Sequence, residues 1–161
     1  MRVISTIVVG FYMCTAIGAQ DKPSWVSDLE VVLAKQQPEW TISDNDVNGV
    51  PGYFTQVLKL RSKGLRVEIN IAVSKSPNEA KEEFEGQKIA FTNILQTTAI
   101  KSTLDGLGDE NFMFTDRGKV KTANVFLLQG NVVVKVFAPS AEIAKRFTKY
   151  VVDLIPHRTS A

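Results

Sequence analysis

Residues 53–74 read YFTQVLKLRSKGLRVEINIAVS, a pattern that decides the fold. From Leu65 onward apolar and polar residues alternate. Leu65, Val67, Ile69, Ile71 and Val73 point one way, and Arg66, Glu68 and Asn70 the other. A period of two marks a strand, because successive side chains leave a strand on opposite faces. Residues 53–61 are also strand-like, and Ser62, Lys63 and Gly64 supply a turn between the two runs. Two strands around a Gly-containing turn form a hairpin. One face of it is buried and the other meets water, as an antiparallel sheet permits.

Toward the N-terminus, residues 24–35 carry Trp25, Leu29, Val32 and Leu33 at helical spacing, with Pro23 before them and Pro38 after. Residues 40–43 alternate briefly and predict a short strand, followed by a polar loop over 44–52. Toward the C-terminus, Ser76, Pro77 and Asn78 open a helix that runs to about Gln96. The serine suits a cap, the proline a first turn, and Glu79, Glu82 and Glu83 suit the positive end of the helix dipole. A turn cluster at 106–110 precedes three strands, over 111–115, 120–129 and 132–137, with turns at 116–118 and 130–131. The last strand, VVVKVF, is almost continuously apolar, which predicts a central strand covered on both faces. Ser140 can cap a final helix over 141–155, whose buried side carries Ile143, Phe147, Tyr150, Val151, Leu154 and Ile155. The expected fold is α+β, an antiparallel sheet of five to six strands with three helices packed on it. The element order is α-β-ββ-α-βββ-α. Helices on both faces would make an α/β/α sandwich.

The 161-residue chain is 44% hydrophobic and 22% charged, which suits one folded domain and argues against disorder. Residues 1–19 have the pattern of a secretory signal peptide. Arg2 starts it, residues 3–17 are uncharged and mostly apolar, and Ala16, Gly18 and Ala19 suit cleavage after Gly18 or Ala19. The apolar run is shorter than the roughly 20 residues of a spanning helix. Residues 20–161 are then a single globular domain, periplasmic or secreted, with no stable membrane span after signal cleavage. Cys14 lies in the signal, and Tyr12 and Met13 before it do not suit a lipid-attachment box. A mature domain without cysteine has no disulfide, thiol nucleophile or cysteine metal site. The net charge is +2, and the densest basic group, Lys59, Arg61, Lys63 and Arg66, sits at the hairpin tip. Without a concentrated basic face, nucleic acid is not an expected partner.

Four places carry residues suited to binding or chemistry. Asp44, Asp46 and Asn48, followed by Gly49, match the first half of a calcium loop, in which oxygens converge from a tight turn. Thr55 stands where such a loop needs a bidentate glutamate, so a simple polar turn is the alternative; calcium is the one cofactor suggested. Tyr53 and Phe54 flank this segment and can line a cleft beside it. Asp109 and Glu110 are neighbouring carboxylates, but neighbours on a strand point to opposite faces and do not readily act on one bond. His157, the one histidine, lies near the end of the chain, where an orienting partner is hard to supply.

The run Gly-Leu-Gly-Asp-Glu-Asn-Phe from Gly106, then Gly-Asn-Val-Val-Val-Lys-Val over 130–136 and a last amphipathic helix, resembles small extracytoplasmic domains of bacterial lipoproteins and kinase sensor modules. The resemblance covers the last third of the chain. It implies an α/β sandwich that binds or senses something, and it carries over no catalytic residue. The first expectation is therefore an exported, non-catalytic binding or sensing domain of the bacterial envelope. Its ligand surface would be residues 44–54, joined by the turn at 106–110, and its partner a small ligand or an envelope protein. Two alternatives stand beside it: a structural or accessory envelope protein acting through a protein partner, and a carboxylate- or metal-dependent hydrolase.

Overall fold

In a computed structural model, the described residues form three helices and one seven-stranded antiparallel sheet, an α+β fold. The structure describes residues 22–95, 99–116 and 122–156. The expected signal segment, Arg117 and Gly118 of the expected turn, and His157 lie outside the described residues.

Helix α1 (Ser24–Gln36) precedes β1 (Thr41–Val50), β2 (Tyr53–Ser62) and β3 (Leu65–Ser74). Helix α2 (Pro77–Leu95) leads to β4 (Ala99–Ser102), β5 (Glu110–Asp116), β6 (Ala123–Gln129) and β7 (Val132–Ala138), and α3 (Ala141–Leu154) ends the fold. The spatial order is β1-β2-β3-β7-β6-β5-β4. Two local meanders thus meet at one long-range pairing, β3 with β7, from Glu68 opposite Phe137 to Val73 opposite Val132.

Seven strands replace the five to six expected. The added one, β4, pairs its four residues with the end of β5. The expected loop over 44–52 is corrected as well, since residues 44–50 continue β1. Asp, Asn and Gly are poor strand formers in isolation. Here β2 offers a row of backbone partners from Arg61 to Tyr53, and a register shift between Ile42 and Asp44 absorbs one residue. Pro51 and Gly52 then reverse the chain in two residues, with Gly52 at a φ of 83°. Proline followed by a positive-φ glycine is the chemistry of a type II turn. The β2–β3 turn is also two residues rather than three. Lys63 and Gly64 have φ of 46° and 81°, between the paired Ser62 and Leu65. Two positive φ values are what a type I′ hairpin turn requires.

The strand alternation sorts the core into two layers. On one face Leu58, Leu60, Val67, Ile69, Val125, Leu127, Val134 and Val136 meet Leu29 and Leu33 of α1 and Phe147 and Val151 of α3. Trp25 and Trp40 are both buried in this layer, and Trp40 packs edge-on against Phe147 at 5.3 Å. On the other face Phe112, Phe114, Phe126, Leu128 and Val133 meet Ala80 and Phe84 of α2. Phe112 and Phe126 stack at 4.7 Å, and Phe91 of α2 closes on Phe126 at 4.5 Å. β7 supplies Val134 and Val136 to one layer and Val133 to the other, as its unbroken apolar run predicts.

A lysine in the left-handed region of a type I′ turn is strained, and asparagine is the residue preferred there. Lys63→Asn is expected to raise stability by about 0.5–1 kcal/mol, read from the urea midpoint. An unchanged or lower midpoint would contradict this account of the turn.

Candidate functional site

A cleft of about 650 Å³ lies between residues 103–107 and α3. Its walls are Thr103, Leu104, Asp105, Gly106 and Leu107 on one side and Lys145, Arg146 and Lys149 on the other. A volume of this order suits a small-molecule ligand. Lys149 lies four residues after Lys145 and three after Arg146, spacings that make it a surface neighbour of both on the helix. The opposite side of α3 is anchored in the core by Ala144, Phe147 and Val151. Arg146 is further held by Gln37, whose side-chain oxygen accepts from its Nη1 at 3.2 Å. Gln37, itself buried, donates to the Tyr150 hydroxyl at 2.8 Å. Lys149 contacts both oxygens of Asp153 at 3.0 Å, while Lys145 makes no ion pair among the described residues. Asp105 is the one carboxylate in the wall.

The loop across the cleft is latched by Asn111. Its Oδ1 accepts from the Leu104 N–H at 2.6 Å, and its Nδ2 donates to the carbonyls of Leu104 at 2.7 Å and Leu107 at 2.6 Å. In a planar trans peptide the N–H points opposite to the C=O. With the Leu104 and Leu107 carbonyls turned in toward Asn111, the N–H groups of Asp105 and Gly108 point away from it. Gly108 is required as glycine twice over. Its φ is 64°, and a Cβ there would stand 2.8 Å from the Leu128 carbonyl oxygen and 2.8 Å from Leu127 Cγ. Asp109 next binds back to the sheet: its N–H donates to the Leu128 carbonyl at 2.8 Å, and its Oδ2 accepts from the Gly130 N–H at 2.7 Å. The Gly-Leu-Gly-Asp-Glu-Asn run therefore builds a rigid loop and ties it to the β6–β7 turn.

The residues singled out from sequence do not gather in one place. Asp109 faces the β6–β7 turn, whereas Glu110, on the other face of β5, pairs with Lys81 of α2 at 3.1 Å. Phe54 is buried in the core layer under α1 and α3. Tyr53 lies on the opposite face and donates its hydroxyl hydrogen to Glu83 at 3.3 Å. Asp44, Asp46 and Asn48 lie two residues apart on extended β1, so they share a face without converging as a tight loop would make them. The Lys59 ammonium sits between the two carboxylates, hydrogen-bonded to Asp44 and 3.9 Å from Asp46. That hydrogen bond holds the Asp44 carboxyl below the usual aspartate range and raises Lys59 in turn. Among the described residues no three acidic, histidine or cysteine side chains surround a common point. Lys145, Arg146 and Lys149 were not anticipated from sequence. Their signal is present, as a cationic stripe on the polar side of an amphipathic helix, but the wall facing it is 40 residues away along the chain.

The chain's fold is similar to that of the extracellular domain of PknH from Mycobacterium tuberculosis. The likeness has a TM-score of 0.54 and covers 79% of this chain and 92% of that one, at 14% sequence identity. What it shows is a shared fold. No protein-family model and no curated protein matches the chain. An extracytoplasmic domain is also what the Gly106–Glu110 run and the last helix resemble, so sequence motif and fold lead to the same class of architecture. Among the described residues no helix is long and apolar enough to cross a membrane.

Two outcomes test this description. Gly108→Ala should cost roughly 2–4 kcal/mol in chemical denaturation, from the strained φ together with the backbone overlap; a near-neutral result would show that the loop is not pressed on β6. A carboxyl whose folded pKa is lowered contributes stability above its ordinary value and loses it as pH falls through the lowered one. Lys59→Met should therefore move the Asp44 titration, followed by carboxyl carbon NMR, upward toward the ordinary aspartate range. An unmoved titration would remove Lys59 as the cause.

Proposed function

We propose that this protein is an exported, non-catalytic binding or sensing domain of the bacterial envelope, and that the cleft between residues 103–107 and α3 holds an anionic small ligand. The observation that carries the proposal is the charge of that cleft. Lys145, Arg146 and Lys149 line one wall, and Asp105 alone opposes them. Cations gathered on a concave surface raise the local concentration of anions and orient them. Arginine adds a planar fork of donors matched to carboxylate or phosphate.

The frame around the cleft is suited to binding. α3 is fixed by the core, and the facing loop is fixed by Asn111, so little ordering is left to be done when a ligand enters. The ionisable groups in the wall are Asp105 and the three cations, an arrangement that holds charge in place and includes no nucleophile paired with a base. Export rests on the signal-like residues 1–19, and the fold shared with an extracellular domain is in keeping with it.

Ligand bound to the native state raises stability by about 2.7 kcal/mol at one hundred times the dissociation constant. The melting temperature of the purified protein is expected to rise with inorganic phosphate or citrate and not with a neutral sugar at the same ionic strength. Lys145→Gln together with Lys149→Gln should abolish the rise while leaving the unliganded melting temperature almost unchanged, since both side chains are exposed. Arg146 is left intact because it also holds Gln37. Equal responses to anion and sugar, or a rise that survives the double substitution, would overturn the assignment of this cleft.

A further inference from the structure

On the other face of the sheet, beside α2, Tyr53, Thr55, Asn70, Ala72, Glu83 and Lys135 line a second hollow of about 210 Å³. The strand register explains why it is there. Thr55 lies opposite Ala72 and Ala72 opposite Val133, while Val57, Asn70 and Lys135 form the next row across β2, β3 and β7. Under α2 the sheet is filled by Phe112, Phe114 and Phe126, but on β2 and β3 the side chains are short, and the helix flank stands over space.

Two opposite charges face this space without meeting. Lys135 projects from the middle of a central strand and is half-buried. A lysine in such a position lays its aliphatic stem on the sheet and keeps its ammonium free for a partner or water. Lys135 makes no ion pair or hydrogen bond among the described residues, although the Glu83 carboxylate lines the same hollow. Glu83 is held back by two neutral donors. The Tyr53 hydroxyl donates to Oε2 at 3.3 Å, and Gln87 Nε2 donates to Oε1 at 2.8 Å. Burial and the nearby Glu83 both raise the Tyr53 pKa, so the phenol stays a proton donor at neutral pH. Each Glu83 oxygen keeps lone-pair capacity for a further donor. Thr55 and Asn70 also line the hollow, and the Asn70 amide donates to Glu68 Oε1 at 3.3 Å.

We propose that this hollow is a second binding site, taking a small zwitterion of the free α-amino acid class, with its ammonium on Glu83 and its carboxylate on Lys135. An ammonium and a carboxylate that line one small cavity without pairing complement a molecule bearing the reverse pair. The size agrees. A volume of about 210 Å³ is enough for a free amino acid. This site stands apart from the α3 cleft, which lies on the opposite face and presents an excess of one charge.

The test is titration calorimetry of the purified protein with L-alanine, L-serine and L-glutamate, with N-acetyl-L-alanine and L-alanine methyl ester as probes that each lack one charge. Binding is expected for at least one free amino acid and for neither capped compound. Lys135→Met and Glu83→Gln should each weaken it by ~10-fold or more, and Ala72→Val should weaken it by occupying the floor. Circular dichroism melts confirm that each variant is folded. Lys145→Gln with Lys149→Gln should leave this binding unchanged, so failure of the α3 assignment and failure of this one are separately visible. No binding of any of the three amino acids, binding of a capped compound with equal affinity, or indifference to both charge variants would overturn the proposal.

Discussion

The pairing of β3 with β7 is the constraint on which the rest of the structure depends. Each meander pairs strands that are neighbours in sequence and can form locally. Joining Glu68–Val73 to Val132–Phe137 makes one sheet and places both strands at its centre. Asn131 reinforces the junction: its backbone carbonyl accepts from the Ser74 N–H at 2.9 Å, and its side chain donates to the Ser74 carbonyl at 2.7 Å. Such long-range pairing has a high loop-closure cost, offset here by the burial of Val67, Ile69, Ile71, Val132, Val134 and Val136 in a single layer.

Once the sheet is joined, its two faces take different characters. One is covered by α1 and α3, with aliphatic side chains and Trp25, Trp40 and Phe147 between them. The other is covered by α2 over a phenylalanine cluster at the β5, β6 and β7 end. Toward β1 and β2 that second face becomes polar, with Asp44, Asp46, Lys59, Glu68, Asn70 and Lys135 set by the register on the same side as Tyr53. The two hollows with charged walls follow from this division. The cationic cleft forms at the rim of α3, and the mixed-charge hollow forms where α2 overhangs short side chains.

The Gly106–Asn111 run shows how a short motif can be structural and still bear on binding. Asn111 is spent on the backbone of Leu104 and Leu107 and Asp109 on that of Gly130, while Glu110 pairs with Lys81. The result is a loop of defined shape opposite a row of cations. Its contribution to the cleft is position, while the charge comes from α3.

The hairpin of β2 and β3, the three helices, the central place of β7 and the α+β class could be read from sequence, because periods of two and 3.6 in apolar residues are local properties. Ser140 as the α3 cap, accepting from the Ile143 N–H at 3.3 Å, was legible for the same reason. β1 was not, because Asp44-Asn45-Asp46-Val47-Asn48 has the composition of a turn and becomes a strand through the partners β2 provides. The turn of Pro51 and Gly52 was the local clue to it. Phe54 and Tyr53 are adjacent in sequence yet fall on opposite faces of the sheet, a consequence of strand geometry that becomes specific once the register is known. The two hollows were legible least of all. Lys145 shares a cleft with Asp105, and Lys135 a cavity with Glu83, across separations of 40 and 52 residues. Sequence determined which segments are helix or strand and which side of each is apolar. The tertiary structure alone decided which charges face one another, because that depends on how distant elements are brought into register.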